Sequence, residues 1–389
     1  MVMAGPRPAR VARSMRARRP ALLVDPLLVL ATVVAAGVGV VMVYTATRGV
    51  LLASGTSPTH YLKRQAVFVV LGIVVMAVMA FIDYRRLEQF GMVVYGLTIA
   101  SLLFVMVPHV GSHTLGSTRW FSLGPLQIQP SEFAVLGLVV TVATYCTRRN
   151  DGLTWRDVIK VLVMGAVPIA LVMVQPDLGT AIIMSVVLVV MLAVAGLPNR
   201  VLVLLLLGAV AVVAVVLEAG LLHHYQIGRI TGFLHQNAKN PSQQAAQAIY
   251  NLKQAEDAIG AGGFSGTGLF HGVQTNLGYV PEQQTDFIFT AVGEQLGFVG
   301  SVGVLALLGA ICFRVLRTAQ LSRDSFGRLL CTGVFTFVAF STFQNAGMTM
   351  GIMPITGIPL PFISYGGTAV IAFFLGVGMV LSVYARRAG

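Results

Sequence analysis

Two carboxylates stand where a proton could be moved. Asp286 and Glu282 lie four residues apart in Pro281–Gly300, PEQQTDFIFTAVGEQLGFVG, where a glycine- and glutamine-rich segment runs into an apolar one. Phe287, Ile288 and Phe289 follow Asp286 and would withdraw its carboxylate from water. Burial and a nearby like charge both raise a carboxylate pKa toward the value a general base needs. The competing reading makes Asp286 the N-terminal cap of the helix that opens here. Glu282 is either a second candidate base or a solvated loop acid. Glu294 lies two turns deeper. An ionised group inside a bilayer costs about 2.5–3.5 kcal/mol on insertion scales, so Glu294 should face a partner, and a structural network is the expected one. Gly293 and Gly297 favour close packing beside it.

Other polar residues gather at the ends of apolar runs. Arg119-Trp120 is either an interfacial anchor or an anion clamp whose ring packs on a sugar or lipid. Ser131 and Glu132 fall in the first turn of a helix beginning near Pro130, and Asp177 opens another in QPDLGTA; capping is the default role for Ser131 and Asp177. Lys63 and Arg64 stand at a further helix start. Gly351–Thr368 carries three prolines between two helices, so it is expected to re-enter and wall a site, with Ser364 and Tyr365 as polar handles.

The elements that must hold these residues are membrane helices. The chain is 56% hydrophobic and 10% charged, outside the range of soluble domains. Apolar runs near 22–46, 62–82, 91–108, 132–147, 158–174, 179–197, 200–217, 287–313, 328–350 and 363–384 predict an all-α, polytopic protein of about ten transmembrane helices. Most of the 26 basic residues fall at alternate ends of these runs, which sets both termini on the cytoplasmic side. The same asymmetry accounts for the net charge of +12 through anionic membrane lipid rather than nucleic acid. Residues 1–21 read as a basic cytoplasmic tail, and 22–389 as one membrane domain. Two outer connections result, 109–130 and a large one at 218–285 between helices seven and eight. Within the second, 242–259 has the 3–4 spacing of an amphipathic helix lying on the outer leaflet, ended by Gly260, Gly262 and Gly263. Cys146, Cys312 and Cys331 map to cytoplasmic helix ends, where no disulfide is expected, and no metal-ligand spacing occurs. A GxxxxGK[ST] phosphate loop is absent, which argues against nucleotide hydrolysis. Ionisable residues at mid-membrane are also scarce, which argues against an ion-coupled transporter.

Five motifs carry a resemblance. RWFSLGPLQIQPSEF, QPDLGTA, AIGAGGFSGTGL, PEQQTDFIFTAVGEQLGFVG and GIPLPFISYGGT, in that order, closely resemble the SEDS family of bacterial cell-wall proteins (RodA, FtsW, SpoVE) over residues 25–385. Gln283 and the stretch NAGMTMGIMPITGIPLPF look more like the RodA branch than the FtsW branch. The resemblance implies a peptidoglycan glycosyltransferase of the bacterial cytoplasmic membrane, polymerising lipid II on the outer face. It implies Asp286 as the essential acid, Trp120 as a sensitive aromatic and Arg119 as the basic residue before it. A class B penicillin-binding protein and the elongation machinery are the implied partners. Charge on the departing diphosphate would be met by Arg119, with Lys63, Arg64 or a divalent cation (Mg or Mn). A lipid II flippase, or a scaffold for a transpeptidase, is the alternative. The chain departs from the family at Val135, where a lysine is usual, and at Tyr44–Thr47, YTAT in place of YSAS.

Overall fold

The computed structural model describes residues 24–107, 111–114, 117–123, 126–149, 152–218, 224–236, 238 and 241–387. The tail at 1–21 lies outside them, as does His109. Each apolar run forms a helix: α1 (Pro26–Ala53), α2 (His60–Phe81), the short α3 (Tyr84–Gln89), α4 (Gly91–Phe104), α5 (Pro130–Thr147), α6 (Trp155–Val174), α7 (Leu178–Val194) and α8 (Asn199–Glu218). Then come α9 (His224–Leu234), α10 (Gln243–Gly262), α11 (Val273–Leu277), α12 (Ile288–Leu321), α13 (Ser325–Thr349) and α14 (Gly367–Ala385). Seven of these are long and apolar enough to cross a membrane, and α4, α7 and the 199–211 part of α8 are shorter apolar helices. Outward faces are apolar as well: α2 exposes Val67, Val70, Leu71, Val74 and Val78. That is the pattern of a helix wetted by lipid on one side. α5 and α14 are the most enclosed, with α13 beside them.

The start of α1 and the end of α14 lie at one end of the bundle, opposite Asp286. Arg314, far along α12, donates to buried Asp25 Oδ2 from Nε (2.9 Å) and Nη2 (2.7 Å). Asp25 also caps α1 by accepting from Leu28 N. Ser382 in α14 accepts from Tyr84 N (3.0 Å), and the Tyr84 hydroxyl donates to Asp324. These bonds tie the ends of five helices together where backbone groups would otherwise lack partners.

Two outer connections differ from the sequence reading. Residues 111–128 hold a three-stranded antiparallel sheet of β1 (Gly111–Thr114), β2 (Ser117–Leu123) and β3 (Leu126–Ile128), so the chain is not wholly helical. The helix foreseen at 242–259 exists as α10, but its apolar face meets protein rather than the outer leaflet. Ala248, Leu252, Ala255 and Ala258 pack with Val280, Phe287, Met348 and Ile355. Gly260 lies within α10; the helix ends at Gly262, and Gly263 caps it at φ 53°.

α12 is broken at Gly297, where φ is 64° and ψ −163°. Its first limb is buried, and the break strips helical partners from both sides of the gap. The glycine motif after α10 supplies them. Thr267 N donates to Glu294 O (2.9 Å) and Gly268 N to Gln295 O (3.0 Å), while Phe298 N donates to Gly263 O (2.9 Å) and Val299 N to Phe264 O (3.2 Å). Irregular backbone is tolerated at membrane depth only when satisfied in this way. A Cβ placed at Gly262 would overlap the carbonyl of Gly293, whereas one at Gly260 meets nothing within 4 Å. Gly262→Ala should therefore destabilise by about 1–3 kcal/mol through overpacking. Gly260→Ala, in the same helix, should be neutral or stabilising by up to about 1 kcal/mol. Thermal unfolding of the detergent-purified pair measures the difference, and equal melting points would refute the role given to the break.

Candidate active site

Asp286 does not cap α12. The helix begins at Ile288 with Phe287 as its N-cap residue and no side-chain cap bond, so Asp286 sits one residue too early. It is held instead by its backbone. Asn345 of α13, fully buried, donates from Nδ2 to Asp286 O (2.7 Å) and to Ile358 O (2.7 Å). One amide thus joins the acid-bearing loop to the proline-rich segment. Gln344 beside it donates to Pro354 O (2.9 Å), a second tie to that segment.

The rest of the 282–287 turn is fastened through Glu294. This carboxylate has no exposed surface and accepts from Gln274 N (2.8 Å), Thr275 N (2.9 Å) and Thr275 Oγ1 (2.6 Å). Gln283 donates in turn to Thr275 Oγ1 (3.1 Å) and Thr290 Oγ1 (3.0 Å). Three donors on one buried carboxylate meet the condition for keeping charge inside a protein.

The carboxylate of Asp286 is partly open. Gly357 of the proline-rich segment, at φ 78°, lies against it: a Cβ there would stand 3.2 Å from Asp286 Oδ2 and 3.5 Å from Arg229 Nη1. Desolvation pushes the Asp286 pKa up to about 6; Arg229 opposes the shift, and Glu282 and Asp177 add to it. Asp177 caps α7 through Thr180 N (3.2 Å), and its Oδ2 also accepts from Gln129 Nε2 (2.8 Å), Ser131 Oγ (2.9 Å) and Thr180 Oγ1 (2.9 Å). Ser131 is thus a partner of Asp177 rather than a cap. Glu132, buried in the first turn of α5, is in electrostatic range of Asp177 and Asp286.

The other foreseen residues divide. Arg119 of β2 donates through Nη2 to Pro176 O, which brings it to the residue before Asp177. Trp120 is half-buried on the same strand and pairs with Ser112 of β1. Lys63 and Arg64 are exposed at the start of α2. Arg64 interacts with the Tyr365 hydroxyl, whose pKa is raised by burial, and Tyr365 N donates to Gln284 O (2.8 Å). The hydroxyl of Ser364 is turned inward, buried and accepting from Leu360 N (2.7 Å), so it shapes its own turn. Glu282 is exposed.

Sequence reasoning missed Arg229 and Asn345. Arg229 lies between Gly228 and Gly232, which pack α9 onto Gln244 and Ala248 of α10. That small-residue spacing was its one available signal. Asn345 looked like any polar residue at a helix end. Among the described residues, no group of three or more His, Cys, Asp or Glu side chains is disposed to hold a metal ion. Asp177 spends its oxygens on protein donors. Among the described residues there is thus no ready-made protein cage for a divalent ion such as Mg or Mn, which the sequence offered as an alternative to Lys63 and Arg64. What remains is a desolvated carboxylate that can take a proton near neutral pH, with the Arg229 guanidinium beside it.

A family model for cell cycle proteins (FtsW, RodA, SpoVE) matches residues 26–388. The chain belongs to this family. It is 35% identical over 354 residues to the peptidoglycan glycosyltransferase MrdB of Escherichia coli K12, covering 89% of this chain and 91% of that one. It is 32% identical over 366 residues to the probable peptidoglycan glycosyltransferase FtsW of Trichlorobacter lovleyi, covering 93% of each. Stage V sporulation protein E of Bacillus subtilis is 32% identical over 367 residues, 93% of this chain and 98% of that one. Among solved structures, a chain of a peptidoglycan synthase complex that coordinates polymerization and crosslinking superimposes with a TM-score of 0.77, at 30% identity, over 94% of this chain and 99% of that one. Rod shape determining protein RodA of Thermus thermophilus does so with a TM-score of 0.68, at 29% identity, over 95% and 99%. These family members come from both named branches at similar identity.

The Asn345 clamp is open to test. Asn345→Leu, close in volume, strips the buried Ile358 carbonyl and the half-buried Asp286 carbonyl of their donor, at about 1–3 kcal/mol for the buried one. The melting temperature should fall, and hydrogen exchange should speed up in 351–366 before it does elsewhere. Unchanged exchange there would show that the amide does not join the two segments.

Proposed function

We propose that this family member is a peptidoglycan glycosyltransferase that polymerises lipid II, the undecaprenyl-diphosphate-linked disaccharide pentapeptide, on the outer face of the bacterial cytoplasmic membrane. The observation that carries the reading is Asp286. It is a desolvated carboxylate, clamped by its backbone, with a pKa of about 6. Asp286 accepts the proton of the acceptor sugar 4-hydroxyl as that oxygen attacks the anomeric carbon of the donor. The bond to undecaprenyl diphosphate breaks, and the configuration inverts. Arg119 meets charge developing on the diphosphate, with Lys63 and Arg64. A divalent cation would supply further positive charge against the diphosphate. Trp120, Tyr365 and Glu282 line the approach of the sugars.

The wider setting follows. Ten helices cross the membrane, α1 to α14 without α3 and α9–α11, with both termini in the cytoplasm and the acid-bearing end outside, as the distribution of basic residues requires. Gln283 and the 345–362 stretch favour the RodA branch and hence cell elongation. The likeness to a chain of a synthase complex for polymerization and crosslinking supports a transpeptidase partner, a class B penicillin-binding protein.

Reconstituted protein incubated with labelled lipid II, with and without the partner, should give glycan ladders on a gel. Leaflet exchange without ladders would mean a flippase. Partner binding without either would mean a scaffold. Asp286→Asn should lower polymerisation by about 10²–10⁴-fold at unchanged protein yield. The base works ionised, so wild-type rate should hold above pH 6 and fall about tenfold per unit well below it. A flat profile between pH 5 and 7 would remove Asp286 from the role.

A further inference from the structure

Asp286 is crowded by its own sign. Asp177 at the start of α7, Glu132 in the first turn of α5 and Glu282 in the same turn all face it electrostatically. The segments α13 and 351–366 bring only the neutral Asn345 and Gly357 to it. Desolvation and the like charges of Asp177 and Glu282 disfavour its ionised form, and a protonated carboxyl cannot act as a base. Among the described residues, Arg229 is the cation that opposes them. Arg229 Nη1 and Asp286 Oδ2 flank one point, the place a Cβ would occupy at Gly357, at 3.5 and 3.2 Å. Arg229 is not placed there by its own loop. Gly228 and Gly232 seat α9 on α10 so closely that a Cβ at either would collide with Gln244 or with Ala245 and Ala248. α10 in turn packs its alanine face on the core that includes Phe287, the neighbour of Asp286.

Resting on the reading of Asp286 as the base, we propose that Arg229 is its positioning residue: the guanidinium holds the carboxylate ionised and turned toward the acceptor hydroxyl at the Gly357 notch. It acts through Asp286 and makes no contact with the diphosphate. Glycine at 357 follows from the same arrangement, since any side chain there would wedge between the two charges.

The test is a pH profile of kcat/KM for lipid II polymerisation by the full-length protein reconstituted with its partner. An opposite charge at this range lowers a carboxylate pKa by roughly 1–3 units. Arg229→Gln should therefore move the acidic limb upward by about that amount and recover rate at high pH, while Arg229→Lys should keep the limb near its original place. Lipid II binding to Asp286→Asn, measured directly, should not weaken when Arg229→Gln is added. A uniform loss at all pH values, with the limb unmoved, would overturn the proposal. So would weaker lipid II binding in the double variant, which would make Arg229 a substrate contact. If Arg229→Gln does not fold, Arg229→Lys decides alone: a limb displaced as far as protonation of an unpaired acid predicts would overturn it. If Asp286→Asn keeps full activity, the base assignment itself has failed. If Asp286→Asn is dead and the Arg229→Gln limb is unmoved, only the positioning role has failed.

Discussion

The break in α12 at Gly297 is the constraint from which the rest of the site follows. An unbroken helix would satisfy its own backbone and carry Glu294 into the apolar core as an unmatched charge. The break frees carbonyls and amides on both sides of Gly297, and only a loop with almost no side chains can come close enough to take them. The GGFSGTG motif does this. By docking there it brings Gln274 and Thr275 over the Glu294 carboxylate, and Thr275 then receives Gln283. The turn that carries Asp286 is thereby held from below by a buried charge and from above by Asn345. Glycine in this motif is therefore structural first, although the segment it opens leads to the candidate base.

Electrostatics around Asp286 are a balance between burial and pairing. Desolvation and neighbouring acids disfavour its ionised form; Arg229 opposes them in part. Asp177, by contrast, is matched by donors from Gln129, Ser131 and Thr180. Two carboxylates at the same end of the bundle thus have different work. One is locked into the junction of β3, α5 and α7. The other is left partly open, its backbone tied to Asn345 and its carboxylate facing Arg229. A carboxylate free to exchange a proton must be the less saturated of the two.

Val135 fits the same picture. The family's usual lysine would add a cation to the acids near α5. Here the position is fully buried among apolar neighbours, and the acidic surroundings of Asp286 go without that charge.

Apolar run length and the 3.6 period decide helix existence locally, and so all ten runs, and the α10 helix, were legible in the sequence. The N-cap role of Asp177 was legible too, because a cap is a contact over three residues. The sheet at 111–128 was not read from a loop rich in glycine, and α10 was assigned to lipid because its apolar face could not be seen to meet Val280, Met348 and Ile355. The acid itself stood out by its apolar neighbours. Its helix-cap reading failed by a single residue, since α12 starts at Ile288. By itself, then, the sequence determined a membrane bundle and its family, and singled out the candidate acid. Which residues answer that acid was decided only by tertiary structure. Arg229, Asn345 and Gly357 lie 57, 59 and 71 residues from Asp286, and a charge or an amide acts over a few ångströms of space, for which separation along a chain is no measure.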